Sequence, residues 1–312
     1  VANFIHKPVL MAQVMNGLQI RPGSLNLDGT VGGGGHAAAI LKASAPNGRL
    51  LGYDRDGSAI AAARERLSEF HGRFELRQGN YADMADWVAE GSCDSVLLDL
   101  GVSSPQLDWP ERGFSFQADG PLDMRMDQSQ GLTAADILAE ESAEELARIF
   151  WEWGGERDSR RIARAIVHDR ETRPFRTTRQ LAELLERISP RGGRKAHPAT
   201  KVFQALRMEV NGELESLRRG LDAARRILRP GGRLVVVTFH SGEDKAVKEF
   251  GRRWSRDYEA PEGVDAPEFR QARAPELKWV QRKAYLPDEE EVRENPRSRT
   301  AQCRVLEKLQ VP

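Results

Sequence analysis

Apolar residues in the first hundred positions fall into short runs, and each of the better-defined runs stops on an acid. Leu25 and Leu27 mark a strand that ends at Asp28, Arg49-Leu50-Leu51-Gly52-Tyr53 a buried second strand that ends on Asp54, and Phe74-Glu75-Leu76 a short third. Cys93-Asp94-Ser95-Val96-Leu97-Leu98 is a fourth, and it ends at Asp99. Between these runs the apolar spacing changes to three and four. Val14, Met15, Leu18 and Ile20 mark a helix closed by Pro22-Gly23, a second helix starts at Ala37, and residues 59–70 form an alanine-rich third. Strands and helices in alternation predict a doubly wound, Rossmann-like α/β sheet, with ligands taken at the carboxyl ends of its strands.

After the fourth strand the alternation stops. Arg112-Gly113-Phe114-Ser115-Phe116 and the segment 120–127 read as an ordered loop. Residues 133–138, 142–153, 158–170 and 178–188 then each show helical spacing behind a polar start. This predicts an all-helical subdomain over residues 109–205, inserted into an α/β domain made of residues 1–108 and 206–312. Leu206, Val210, Leu214, Leu217, Leu221, Ala224 and Leu228 predict one long helix on the return, followed by the turn Arg229-Pro230-Gly231-Gly232 and the buried strand Leu234-Val235-Val236-Val237. A helix then reaches Trp254, residues 258–275 read as irregular, and two strands, 279–284 and 303–308, end the pattern.

The most informative stretch lies between the first strand and its helix: Asp28-Gly29-Thr30-Val31-Gly32-Gly33-Gly34-Gly35-His36. Glycine permits positive φ and close approach of a ligand to the backbone, and the helix start behind it presents unpaired N–H groups, so this reads as a nucleotide-type binding turn. Gly32, Gly34 and Ala37 also fit the weak dinucleotide fingerprint, and the turn alone does not name its ligand. Asp54, at the end of the second strand, is placed either to accept ribose hydroxyls or to cap the helix that begins near Ser58.

Composition narrows the class. With 39% hydrophobic and 30% charged residues the chain is an ordinary globular one. No apolar run approaches the roughly 20 residues that span a bilayer, and the first ten residues lack a secretory pattern, so no membrane partner and a cytoplasmic location are expected. Cys93 and Cys303 lie far apart without metal-ligand spacing, which argues against a disulfide framework and a metal site. The net charge is zero, yet residues 111–152 hold ten acids and three bases, whereas residues 157–201 hold thirteen bases and five acids. Arg160, Arg161, Arg164, Arg176, Arg179, Arg191, Arg194 and Lys195 could track phosphates or form a solvated face. The local excess favours RNA, with Arg191, Arg194 and Lys195 singled out, while Trp151, Trp153 and Phe175 are expected to fill the helical core.

The motifs together resemble one family. His6-Lys7-Pro8-Val9-Leu10, the glycine turn, Asp99-Leu100-Gly101-Val102-Ser103-Ser104-Pro105-Gln106-Leu107, the 112–116 and 119–127 segments, His197-Pro198-Ala199-Thr200, Val210-Asn211-Gly212-Glu213-Leu214, Phe239-His240-Ser241 and Asn295-Pro296-Arg297-Ser298-Arg299 are similar to the bacterial 16S ribosomal RNA cytosine-N4 methyltransferases. The resemblance covers essentially the whole chain. It implies a methyltransferase-type sheet with S-adenosylmethionine at Gly34, Gly35, His36, Asp54, Tyr81, Asp99 and Gln106. The implied substrate is a specific cytidine in the decoding region of 16S rRNA within the small ribosomal subunit, with Arg297 and Arg299 added to the RNA contacts and a homodimer left open. The chain departs from the family at Tyr81, where phenylalanine is common, and at Gly242, where leucine is common.

Methyl transfer to an amine needs alignment and exclusion of water rather than a metal or a covalent intermediate. The lone pair of the cytosine amine is delocalised into the ring, so acceptors that hold its hydrogens assist attack. Ser103 and Ser104, in a polar-Pro loop after Asp99, are the candidates, with turn capping as the competing role. Asp99 is assigned to the cofactor, to the target amine, or to both. His36 is assigned to cofactor contact, and His240 is open between structure and catalysis. A nicotinamide-dependent oxidoreductase and a non-catalytic RNA-binding assembly factor are the competing functions.

Overall fold

The first helix, α1 (Met11–Leu18), buries Val14 and Leu18 and carries Gly17 so close to the sheet that a Cβ there would lie 2.8 Å from Val305 Cγ2. Then β1 (Leu25–Asp28), α2 (Gly35–Ala43), β2 (Arg49–Asp54), α3 (Gly57–Arg66), β3 (Phe74–Gln78) and β4 (Cys93–Asp99) follow in the expected alternation. The computed structural model describes residues 8–189, 197–261 and 264–310. The chain divides into two compact units, one of Val1–Gly101 with Leu214–Pro312, the other of Val102–Glu213.

The second unit holds α4 (Ser104–Asp108), α5 (Ala134–Glu140), α6 (Ala143–Glu152), α7 (Ser159–Arg170), α8 (Thr178–Ile188) and α9 (Ala199–Asn211). Ser142 and Thr177 cap α6 and α8 by accepting backbone N–H groups, and Thr133 and Asp136 close a capping box on α5. Leu138, Leu146, Phe150, Ile166, Leu185, Val202 and Leu206 are buried in a single apolar cluster. Two buried polar side chains order the 112–127 loop. Asn211 Nδ2 donates to Met124 O at 2.8 Å and its Oδ1 accepts the Met126 N–H at 2.8 Å, while Arg112 donates to the carbonyls of Arg125 and Met126 at 3.0 Å.

The long helix expected from 206 to 228 is two helices. Gly212 has φ 55° and ends α9, and α10 (Glu213–Ile227) starts beside it. Apolar spacing runs through the break because Val210 and Leu214 keep a four-residue interval across it. Val202, Phe203 and Leu206 belong to the helical cluster, which places α9 in the second unit.

Beyond α10 come β5 (Leu228–Thr238), α11 (Ser241–Trp254), the two-residue strands β6 (Tyr258–Glu259) and β7 (Gln271–Ala272), β8 (Leu277–Trp279), α12 (Glu289–Glu294) and β9 (Gln302–Lys308). The region read as irregular thus contains a small antiparallel pair, and the acidic 288–291 run starts a helix capped by Asp288. The strand expected at 279–284 lies earlier and is shorter, with Tyr285 making only an isolated bridge to Cys303. The main sheet runs β3-β2-β1-β4-β5-β9-β8, parallel except at β9. Successive residues of β5 alternate sides: Val235 and Val237 pack with α1 to α3, and Leu234 and Val236 with α10 and α11. No helix among the described residues is long and apolar enough to cross a membrane.

Candidate active site

Register decides where the strand-end acids sit. Asp28 pairs with Gly52 on β2 and Leu97 on β4, so Asp54 and Asp99 lie two residues beyond its partners, on the same side of the sheet. The glycine turn is tied to both neighbouring strands. Gly29 N–H donates to Leu97 O at 2.9 Å, Val31 N–H to Tyr53 O at 2.9 Å, and Gly32 N–H to Asp54 Oδ2 at 2.8 Å. Thr30 links the two ends: its N–H donates to Asp28 Oδ1 at 3.0 Å and its Oγ1 accepts the Asp99 N–H at 2.7 Å. At the start of α2, Gly34 has φ 78°, a left-handed conformation that favours glycine, and a Cβ on Gly35 would lie 2.3 Å from Pro8 Cγ.

The three carboxyls are held in an environment hostile to charge. Burial pushes Asp28 up to about 7, helped by nearby Asp54, and burial pushes Asp54 up to about 6. Asp99 is raised well above the usual carboxylate range by burial, then by Asp28 and Glu243. Asp28 Oδ2 and Asp99 Oδ1 are buried without a hydrogen-bond partner among the described residues. The other Asp99 oxygen lies 3.4 Å from His36 Nδ1, and His36 Nε2 lies 3.2 Å from Val9 O. A carbonyl can only accept, so Nε2 carries a hydrogen, and Nδ1 is the ring atom that faces Asp99.

Tyr81 is buried beside α10, where a Cβ on Gly220 would lie 2.4 Å from its Cε2. The helix-cap reading of Asp54 falls away: Asp56 caps α3, accepting the Ser58 N–H at 3.0 Å, while Asp54 accepts the N–H groups of Gly32 and Asp56. His240 has a capping role, accepting the Glu243 N–H at 3.4 Å at the start of α11. The first unit therefore brings together Gly34, Gly35, His36, Asp54, Tyr81 and Asp99. Asp28, Thr30 and Glu243 belong with them and were not among the expected site residues. Asp28 carries the signal that marked Asp54 and Asp99, an acid closing a buried strand.

In the second unit Ser103 is the N-cap of α4, and Gln106 Oε1 accepts its N–H at 2.9 Å to close a capping box. Ser104 is the first residue of that helix and is half-buried. Arg297 and Arg299 are exposed in the short turn Pro296–Thr300 before β9. Arg191, Arg194 and Lys195 lie outside the described residues. Of the aromatics expected in the helical core, Phe175 is buried and Trp153 is half-buried with Nε1 donating to Glu209, but Trp151 is exposed.

A model of the MraW methylase family matches residues 3–309. The chain belongs to that family. Among similar curated proteins, the ribosomal RNA small subunit methyltransferase H of Symbiobacterium thermophilum is 48% identical over 312 residues, covering 98% of each chain. Those of Syntrophotalea carbinolica and Shewanella denitrificans are 49% and 47% identical over 311 and 310 residues, again covering 98% of each chain. This MraW-family chain is a methylase whose cofactor is S-adenosylmethionine. The residues present fit a cationic cofactor, because two buried carboxylate oxygens find no donor among the described residues beside the glycine turn.

Proposed function

We propose that this methylase modifies the exocyclic N4 of a cytidine in 16S rRNA of the small ribosomal subunit. Support for the RNA comes from relatives at 47–49% identity that carry the name ribosomal RNA small subunit methyltransferase H. The observation that carries the choice of nitrogen over ring carbon is the state of the two cysteines. Methylation of the ring carbon calls for a thiolate that adds to the base. Cys93 and Cys303 are fully buried in β4 and β9, and burial pushes both thiols up to about 12. Neither can serve as that nucleophile.

When bound, S-adenosylmethionine supplies a methyl group carried on a positively charged sulfur. The chain has to hold it, orient the amine and keep water out. Asp99 Oδ1 and Asp28 Oδ2 are the acceptors available for the ammonium group of its methionine end, and His36 fixes Asp99 from the other side. Asp54, held by two backbone N–H groups, receives the ribose hydroxyls, and Tyr81 gives an aromatic face to the adenine. Gly34 and Gly35 let the turn pack against Ala63 and Pro8 and so set its shape, and Gln106 is assigned to the cofactor as well. Ser103 positions the start of α4, and Ser104 accepts a hydrogen of the target amine, which frees the nitrogen lone pair from the ring. The nitrogen then loses its proton to water, so no strong base is required. The helical unit is assigned the recognition of RNA, with Arg191, Arg194 and Lys195 on phosphates, and Arg297 and Arg299 of the first unit are assigned the same role.

Mass mapping of nucleosides in 16S RNA, with and without the protein, tests this reading. One cytidine should gain N4-methylcytidine. The appearance of 5-methylcytidine in its place would overturn the assignment, and an unmodified RNA would leave a binding protein rather than an enzyme.

A further inference from the structure

The second unit carries a groove of about 950 Å³ between α6 and the start of α7. Five arginines line it, Arg148, Arg157, Arg160, Arg161 and Arg164, against two acids. Arg160, Arg161 and Arg164 recur at helical spacing on one exposed side of α7, with the exposed Arg157 in the turn before it, while Ile162, Ala163 and Ile166 face the core from the other. Arg148 is committed to Glu145 and Glu152, and Arg161 to Asp158 at 3.1 Å. Arg157, Arg160 and Arg164 have no carboxylate within ion-pair reach among the described residues, and Arg164 donates only to Arg160 O. Across the groove stands Trp151, 58% exposed, on the α6 face opposite Leu146, Ile149 and Phe150.

A large indole left in water beside unpaired guanidinium groups has no part in holding this unit together. We propose that the groove is a docking site for single-stranded RNA, with one base stacked on Trp151 and the flanking phosphates on Arg157, Arg160 and Arg164. This rests on RNA being the substrate and deepens that reading, because it says which surface of the helical unit grips the strand. The charge is complementary to a phosphate backbone. Stacking on one exposed ring is tolerant of sequence, and an unpaired strand alone can offer a base face to it. An acidic protein could answer the charge too, and the comparison of free RNA with the assembled subunit below separates it from RNA.

The test measures binding of a fluorescein-labelled single-stranded RNA copied from the small-subunit decoding region, by anisotropy across a salt series. Trp151→Ala should weaken binding roughly ten- to a hundredfold with the salt slope unchanged, and Trp151→Phe should restore most of it. Arg160→Ala with Arg164→Ala should lower the slope by about 1.4, two phosphates' worth on a single strand. All variants should bind S-adenosylmethionine and unfold thermally like the parent. Parent-like RNA affinity and slope in the folded variants, while the parent methylates RNA, would overturn the groove and leave the function standing. A parent protein that methylates no RNA would instead overturn the function. If the variants bind free RNA normally and lose only the assembled subunit, the groove holds a protein and the proposal fails.

Discussion

At the residue scale the site is defined by an imbalance: three acids share one buried place, and Asp28 is fully buried with one oxygen unpartnered among the described residues. For Asp28 the sign follows directly. Its unfolded value is 3.8 and its folded value about 7, so between those limits the folded state binds more protons than the unfolded one. Its contribution to the stability of the cofactor-free protein is therefore neutral below pH 4 and increasingly unfavourable as pH rises to about 7. A cation reverses this by favouring the ionised forms, so binding S-adenosylmethionine should release protons and tighten as pH rises from 5.5 to 8. Calorimetry at pH 6.5 in buffers of different ionisation enthalpy reads that release directly, and Asp28→Asn should reduce it. A pH-independent affinity without proton release would show that these carboxyls do not meet the cofactor's charge. The acids at the ends of β1, β2 and β4 were legible because each closes an apolar run. Their coupling to His36 was not, since nothing local shows that His36 and Asp99, 63 positions apart, will face each other at 3.4 Å.

At the element scale, strands were easier to read than breaks. A buried parallel strand is a dense apolar run with turn residues at its ends, and β1 and β4 came out with their observed limits. The α9–α10 junction was hidden because a helical apolar stripe carries no mark of a one-residue interruption when its interval is preserved on both sides. Only Gly212 itself was visible, and a glycine inside a helical pattern reads equally as a tolerated guest. The two readings predict opposite signs. In a continuous helix Gly212→Ala would stabilise by up to about 1 kcal/mol. At φ 55°, with nothing within 4 Å of its added Cβ, the same change should destabilise by about 1–2 kcal/mol from backbone strain alone. Gly212→Asn should cost less, because asparagine visits the left-handed region more readily. Denaturant unfolding of the three proteins decides it, and a stabilised alanine variant would restore the single helix. The groove was half legible in the same sense: helical spacing gave the arginine stripe of α7. Whether Trp151 turned to core or solvent depended on the rotation of α6, which Leu146, Ile149 and Phe150 set by burying the other side.

For the whole molecule, the division into two units has a consequence for folding. The two apolar clusters that flank the main sheet draw only on residues of the first unit, and the helical cluster only on residues of the second. The first unit is interrupted once, between Gly101 and Leu214. Both ends of the gap lie against one short segment: a Cβ on Gly101 would sit 3.3 Å from Phe239 Cδ2, and one on Gly242 4.0 Å from Leu214 Cδ1. A short flexible linker can replace Val102–Glu213 without unravelling β4 or α10, at a closure cost that grows only slowly with its length. The joined first unit should unfold cooperatively and still bind S-adenosylmethionine, because Gly34, Gly35, His36, Asp54, Tyr81 and Asp99 all remain in it. It should not methylate RNA, because the serine loop and the arginine groove are gone. Circular dichroism melting, cofactor titration and methyl transfer to 16S RNA read the three properties separately. A product that melts without a cooperative transition would mean that the sheet depends on the helical unit for its stability. Methyl transfer retained by the joined unit would place both the target amine and the RNA on the first unit alone, and would remove Ser103, Ser104 and the α6–α7 groove from the reaction.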